Sequence, residues 1–209
     1  MKKIMTAGCI TLLFACPTVG SAAISYTDFT DITTHSSHYF DVDGDGTSDV
    51  GVVWGYDDWA DDTTAEASVP LGANAANGFA QANYLASQLS LGDTIDESLD
   101  YYNEPVMLSE YWDDWEYSYS RWGEWDNMGA DETAYLGFQF IDGGNALHYG
   151  WIQARVNPDN LYITLYDMAW ETTANTAIEA GNTGSPVPIP GAVWLLGSAL
   201  LGLVGIRRR

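Results

Sequence analysis

The chain of 209 residues contains 29 acidic residues, and all of them lie within residues 28–179. Only Arg121 and Arg155 oppose them there, so this region carries a net charge of −27. Such a charge excludes nucleic acids and anionic membrane surfaces as partners, because phosphates are bound by clustered lysine and arginine. No lysine follows Lys3, which excludes lysine-based Schiff-base chemistry in the acidic region.

The beginning of the chain predicts export. Two lysines, an apolar stretch over residues 4–16 and small residues at 21–23 are typical of a secretory signal peptide, residues 1–23. Both cysteines lie inside it, so we expect the exported domain to depend on packing or bound ions rather than on disulfides. A lipidation box ending at Cys16 is the alternative, which the bulky Phe14 fits poorly.

The first half of the exported region has several strand signals. Period-two alternation predicts a strand at 24–30, and aromatic and β-branched residues predict a hairpin formed by 38–42 and 49–54. The acidic residues of 55–65 are typical of a solvated loop. The alanine-rich stretch 72–91 is compatible with a short helix or with an extended edge.

The second half contains the clearest pattern of the chain. Alternation at 133–141, 147–151 and 161–165, with turns rich in Gly, Asn and Pro between them, predicts a three-stranded antiparallel meander. We therefore expect residues 24–180 to form one acidic, mainly β domain, either an antiparallel β-sandwich or a jelly-roll-like fold. One domain is expected because a region of this length supports a single core.

The loop inside the predicted hairpin has the spacing of a metal site. Its carboxylates stand at positions 1, 3, 5 and 9, with glycine at 6, as in the first nine positions of a calcium loop. Val52 replaces the Glu of position 12 and the flanks are strands, which excludes an EF-hand. Calcium is the predicted cofactor, and its predicted ligands are Asp41, Asp43, Asp45, the Thr47 carbonyl and Asp49. A solvated turn without a metal is the alternative.

Aromatic and acidic residues are concentrated in 101–131. Exposed rings beside carboxylates suit stacking on sugars, so we consider a carbohydrate-binding module for matrix polysaccharide as an alternative function. Its predicted glycan contacts are Tyr111, Trp112, Trp115, Trp122 and Trp125. The competing interpretation is that these rings fill a core short of aliphatic residues.

No catalytic motif is recognisable in the sequence. A Gly-x-Ser-x-Gly elbow, a His-Glu-x-x-His helix and a phosphate-binding glycine loop are all missing. With 29 acidic residues, some carboxylate pair reaches glycosidase separation by chance. We therefore expect no enzyme, and a glycoside-acting enzyme is the minor alternative.

The end of the chain is predicted to be a sorting signal. After a spacer at 181–186, residues 187–209 contain a proline motif, an uncharged apolar run over 189–206 and a terminal basic cluster. As a helix the run would rise about 27 Å, enough to cross a bilayer core, and the arginines would stop transfer on the cytoplasmic side. The motif is Val187, Pro188, Ile189 and Pro190, and the stop-transfer cluster is Arg207, Arg208 and Arg209.

This arrangement resembles the PEP-CTERM sorting signal in its Val-Pro-x-Pro variant, although Val187 and Ile189 replace the proline and glutamate of the name-giving motif. Residues 133–209 also resemble the distal half of uncharacterised secreted domains found with this signal. The resemblance implies that exosortase, a membrane-embedded enzyme of the secretion pathway, cuts near the motif. The domain would then reach the cell surface or exopolysaccharide matrix of a Gram-negative bacterium.

Together these features predict a structural protein that is exported across the inner membrane and stabilised by calcium. Its contact with the membrane would be the C-terminal helix before processing, and exopolysaccharide is a further candidate partner. A plain membrane anchor is the alternative interpretation of the tail.

Overall fold

The computed structural model describes residues 23–57, 62–68, 70, 73–113, 118–129, 132–157, 159–160 and 162–184. At 56–57, 62–63, 110–113 and 118–120 it describes the backbone alone. The predicted signal peptide, except for Ala23, and the predicted sorting signal at 187–209 lie outside these ranges. Within the described part of the chain, no helix has the length and hydrophobicity to cross a bilayer.

The described secondary structure is β-strand apart from one 3₁₀ helix at Glu124–Asn127. The mainly β prediction is therefore confirmed. The strands are β1 (Ile24–Thr34), β2 (His38–Phe40), β3 (Val50–Asp57), β4 (Asp62–Ser68), β5 (Gly78–Ala82), β6 (Leu85–Ala86), β7 (Thr94–Ile95), β8 (Tyr101–Tyr102), β9 (Val106–Asp113), β10 (Ser118–Trp122), β11 (Ala134–Ile141), β12 (Leu147–Val156), β13 (Ile163–Glu171) and β14 (Ile178–Glu179).

One sheet contains 12 of the described strands, in the order β1-β13-β12-β11-β5-β6-β9-β4-β3-β2. Strand β8 pairs with β5 and β10 pairs with β9, while β7 and β14 form a separate ribbon. The described pairings are antiparallel except where β6 meets β9 at Leu85 and Val106. Strand β5 is the junction of the sheet, because it pairs with β11, β6 and β8.

The sheet bends until its two ends approach each other. Phe29 of β1 stacks on Phe40 of β2, with ring centroids 4.7 Å apart, although these strands stand at opposite ends of the strand order. A single core cluster contains fully buried residues from both halves, including Val52, Leu108 and Phe138. Removing these apolar side chains from water is the main stabilising contribution to a nearly closed sheet of this kind.

The predicted meander is confirmed by β11, β12 and β13, which pair antiparallel in chain order. Alternate residues of β11 enter the main core, and β12 is buried on both faces for most of its length. On its second face, Trp151 belongs to a smaller cluster that β7 and β14 cover through Ile95 and Ile178. This second layer explains why so much of β12 is apolar.

Two local predictions were wrong. The expected solvated loop at 55–65 is largely a hairpin, because β3 and β4 pair as far as Asp57 and Asp62. A strand tolerates acidic residues when one of its faces meets water. The stretch 72–91 is neither a helix nor a sheet edge, since it contains β5, which has a partner on each side.

The aromatic–acidic segment also forms strands. Strands β9 and β10 pair from Asp113 and Ser118 to Ser109 and Trp122. The segment therefore extends the sheet beside β4, where Ala65 lies opposite Leu108.

Candidate metal centre

The predicted metal loop, residues 41–49, connects β2 to β3. The hairpin is closed below the loop by the Asp49 N–H, which donates to the Phe40 carbonyl at 2.7 Å. Gly44 and Gly46 have φ of 79° and 94°, in the left-handed region that favours glycine. Steric crowding does not require glycine here, because a Cβ added at either position would meet no atom within 4 Å. The backbone conformation of the loop is what requires them.

The Asp41 carboxylate organises the loop backbone. Its Oδ1 accepts the N–H groups of Gly44 at 2.8 Å and Asp45 at 3.0 Å, and its Oδ2 accepts the Gly46 N–H at 2.9 Å. Asp43 Oδ1 accepts a further bond from the Asp45 N–H at 3.0 Å. The loop therefore curls around acidic side chains, as short Asp side chains commonly make turns do.

Three of the predicted ligands converge. Asp41, Asp43 and Asp49 each offer a carboxylate oxygen within 4.8 Å of the other two. Asp45 is not part of this described cluster. Its Oδ1 accepts the Thr47 N–H at 2.7 Å. Its Oδ2 lies beside Gly143, 3.0 Å from the position that a Cβ added to this glycine would take. The Thr47 carbonyl stays a predicted ligand.

Asp49 is the buried member of the cluster, with 5% of its surface exposed. Burial raises the pKa of Asp49 to about 6, and the negative charges of Asp43, Asp45 and Asp41 add to this effect. The Val42 N–H, which donates to Asp49 Oδ2 at 2.9 Å, opposes the increase. A cation placed among these carboxylates would remove their mutual repulsion.

Residues distant in sequence hold the loop against the rest of the sheet. The buried Asn77 donates from Nδ2 to the Asp49 carbonyl at 3.2 Å, and its Oδ1 accepts the Ile141 N–H at 2.8 Å. The Gly143 N–H donates to Asp43 Oδ2 at 3.0 Å. The loop is thus connected to the turn between β11 and β12, a contact that no pattern in the sequence indicates.

A buried histidine lies behind that turn. His148 Nδ1 is 2.8 Å from the Glu171 carbonyl, and its Nε2 is 3.2 Å from Asp142 Oδ2. Donation from the Ala146 N–H lowers the pKa of Asp142, and the contact with His148 lowers it further. Sequence analysis missed this pair, since one His and one Asp six residues apart form no recognisable motif.

The predicted glycan contacts divide into separate environments. Trp122 is 46% exposed, whereas Trp125 is fully buried and its indole N–H donates to the Ala86 carbonyl at 3.0 Å. The prediction that Trp125 contacts a glycan was therefore wrong, because its ring belongs to the core. The side chains of Tyr111 and Trp112, and the whole of Trp115, lie outside the described part of the structure.

The donor set of the loop fits a hard divalent cation, because carboxylate oxygens are the ligands that calcium and magnesium prefer. Calcium accepts six to eight oxygens in flexible geometry, whereas magnesium demands a near-ideal octahedron. No protein-family model, curated protein or solved structure matches this chain.

Proposed function

We propose that this protein is an exported structural component of the cell surface or the exopolysaccharide matrix, and that calcium bound at residues 41–49 stabilises it. The observation that carries the proposal is the convergence of Asp41, Asp43 and Asp49 within 4.8 Å. Extracellular calcium modules commonly bind in the 10⁻⁴–10⁻³ M range, which suits a loop with few carboxylate ligands. The predicted signal peptide and tail support export.

Calcium would act on a protein that carries a large excess of negative charge. A net charge of −27 opposes compactness by self-repulsion. A cation that binds only the folded state stabilises it by an amount that grows with the logarithm of its concentration once that exceeds the dissociation constant. Because Asn77 and Gly143 connect the loop to the β11–β12 region, ordering the loop would also strengthen the closure of the sheet.

The finer fold class that we propose is a β-sandwich. Its support is the core cluster that contains residues from both halves of the strand order, among them Val50, Val52, Leu136 and Ile152. Two halves of a bent sheet that face each other across one apolar layer have this pattern of burial.

A melting experiment tests the calcium proposal. We expect the melting temperature of the purified protein to rise with millimolar Ca²⁺, to fall with EGTA, and to respond less to Mg²⁺. Asp43→Asn should reduce the Ca²⁺ response, because the substitution removes one carboxylate charge from the cluster. Asp159→Asn, in an exposed turn between β12 and β13, is the control and should respond like the wild type. Equal melting temperatures with Ca²⁺ and with EGTA would contradict the proposal.

The processing proposal concerns the tail alone. Export through an exosortase pathway predicts that the protein recovered from the cell surface or the medium lacks Arg207, Arg208 and Arg209. Mass spectrometry of its C-terminal peptide measures this directly. An intact arginine terminus would mean that the tail is an anchor.

The alternative function, carbohydrate binding through the aromatic–acidic segment, has one supporting observation. Trp122 is 46% exposed at the end of β10, where its ring is accessible to a sugar. Because Trp125 is buried, the two tryptophans do not form a shared platform.

A further inference from the structure

A cleft elsewhere on the surface combines exposed aromatic rings with polar side chains. It lies between the β5–β6 turn and β8, and its volume is about 390 Å³. Its size lies within the range of small-molecule binding sites. The lining residues are Gln81, Asn83, Tyr84, Asp100, Tyr101 and Tyr102.

Two tyrosines form an exposed corner of this cleft. Tyr84 is 68% exposed and Tyr102 is 38% exposed, with ring centroids 5.2 Å apart and an interplanar angle of 82°. In this arrangement a flat ligand can stack on the face of one ring while its edge meets the other. Tyr101 forms the buried side of the cleft, with its hydroxyl donating to the Asp96 carbonyl at 2.8 Å.

The backbone conformation at Tyr84 is one that glycine adopts more readily than tyrosine. Asn83 and Tyr84 are the two central residues of the β5–β6 hairpin, and their φ values are 54° and 68°. Positive φ at both positions is the requirement of a type I′ turn, which favours Asn followed by Gly. Asn83 suits its position, whereas a bulky side chain at φ > 0 is strained. Tyr84 therefore holds an exposed ring at a cost to folding, and strain of this kind is found at ligand sites.

The polar groups of the cleft are already positioned. Gln81 Oε1 accepts the Tyr84 N–H at 2.6 Å, and Gln81 Nε2 donates to Asp100 Oδ2. The Gln81 N–H also donates to the Asp100 carbonyl at 2.9 Å. These bonds fix one amide and one carboxylate beside the tyrosine corner. Among the described residues no hydrogen bond occupies the exposed Asn83 side chain, which leaves its donor and acceptor for a ligand.

We propose that this cleft binds a neutral saccharide. A tyrosine face suits the C–H face of a sugar ring, and the amide and carboxylate groups suit its hydroxyls. The net charge of −27 disfavours phosphorylated or acidic ligands. The inference goes beyond the proposed structural role. The cleft shares no residue with the metal loop, and it shares only Tyr101 and Tyr102 with the aromatic–acidic segment of 101–131.

Affinity electrophoresis of the purified full chain in native gels tests this site. The gels contain a neutral β-glucan, mannan or galactan, and a gel containing albumin serves as the protein control. We expect at least one neutral polysaccharide to retard the wild type. Tyr84→Gly should weaken binding about tenfold or more, as loss of an aromatic anchor does. The same variant should melt at or above the wild-type temperature, because glycine relieves the strained turn.

Tyr39→Ala is the matched aromatic control and should retain binding, because Tyr39 is an exposed ring of β2 that does not line the cleft. The proposal would be overturned if none of the neutral polysaccharides retarded the wild-type protein. It would also be overturned if the albumin gel retarded the protein equally. Retention in Tyr84→Gly with loss in Trp122→Ala would assign sugar binding to the β10 surface instead. Each gel is run with Ca²⁺ and with EGTA, so that failure of the metal loop is distinguished from failure of the saccharide site.

Discussion

Ionisation of the Asp49 carboxyl opposes folding of the metal-free protein. In the metal-free protein, burial and three neighbouring carboxylates raise its pKa to about 6. The neutral acid is therefore favoured in the folded state relative to the unfolded one. Its contribution to stability is complete below an ordinary Asp pKa near 4 and is lost as the pH rises through about 6.

We predict that raising the pH of the metal-free protein from 4.5 to 7 lowers its free energy of unfolding by about 1–2 kcal/mol through Asp49. Urea titrations at the two pH values measure the loss. Asp49→Asn keeps an acceptor for the Val42 N–H without a charge, so it should lose less stability over this interval. Equal losses in the two proteins would show that Asp49 is not responsible.

His148 is a second residue whose position follows from its partners. Both ring nitrogens face acceptors, the Glu171 carbonyl and the Asp142 carboxylate. The ring packs between Phe140 and Trp170, at centroid distances of 5.5 Å and 5.1 Å. Hydrogen bonds at both nitrogens and these ring contacts fix the orientation of the imidazole.

At the scale of single elements, β12 depends on the absence of a side chain at Gly150. A Cβ there would collide with the Phe138 ring and would lie 2.7 Å from the Ala169 carbonyl. Phe138 stands opposite Gly150 in the pairing of β11 and β12, so the ring covers the glycine.

Gly150→Ala should therefore lower the free energy of unfolding by about 1–3 kcal/mol, the usual cost of overpacking a core. Chemical denaturation measures the change. Gly55→Ala in β3 is the matched control, because its added Cβ meets only the Thr64 hydroxyl, at 3.2 Å. A smaller loss in Gly150→Ala than in Gly55→Ala would contradict the packing argument.

The elements that sequence analysis predicted correctly are those with a local signal. The meander follows from period-two alternation with turn residues between its strands, and the first hairpin follows from aromatic and β-branched residues around a glycine-rich acidic loop. The β3–β4 hairpin was missed because its acidic composition favours a loop, and it forms because Ala65 and Ala67 are buried in the core.

The candidate metal site was predictable only in part. Spacing indicated that the carboxylates of Asp41, Asp43 and Asp49 lie close together, since all three stand on one short loop. The contact between Asp43 and Gly143 depends on closure of the sheet, and no pattern within either segment indicates it. The tyrosine cleft was missed for the same reason, because β5 and β8 meet only in the folded sheet.

At the scale of the whole molecule, charge repulsion should be visible in the salt dependence of stability. In the absence of divalent cations, we expect NaCl to raise the urea midpoint between about 10 and 300 mM, because these concentrations shorten the Debye length from about 30 Å to below 8 Å. Tetramethylammonium chloride should have a similar effect if screening is the cause. A midpoint that falls with salt would contradict this prediction.

The pairing of β1 with β13 has a consequence for the order of assembly. Ile24 pairs with Glu171, so the first described strand completes its ladder only with the last long one. During synthesis the N-terminus emerges first, so β1 stays without its partner strand until nearly the whole domain has been made. Contacts this distant in sequence slow folding. We expect the domain to fold late and as a unit, once its synthesis is complete.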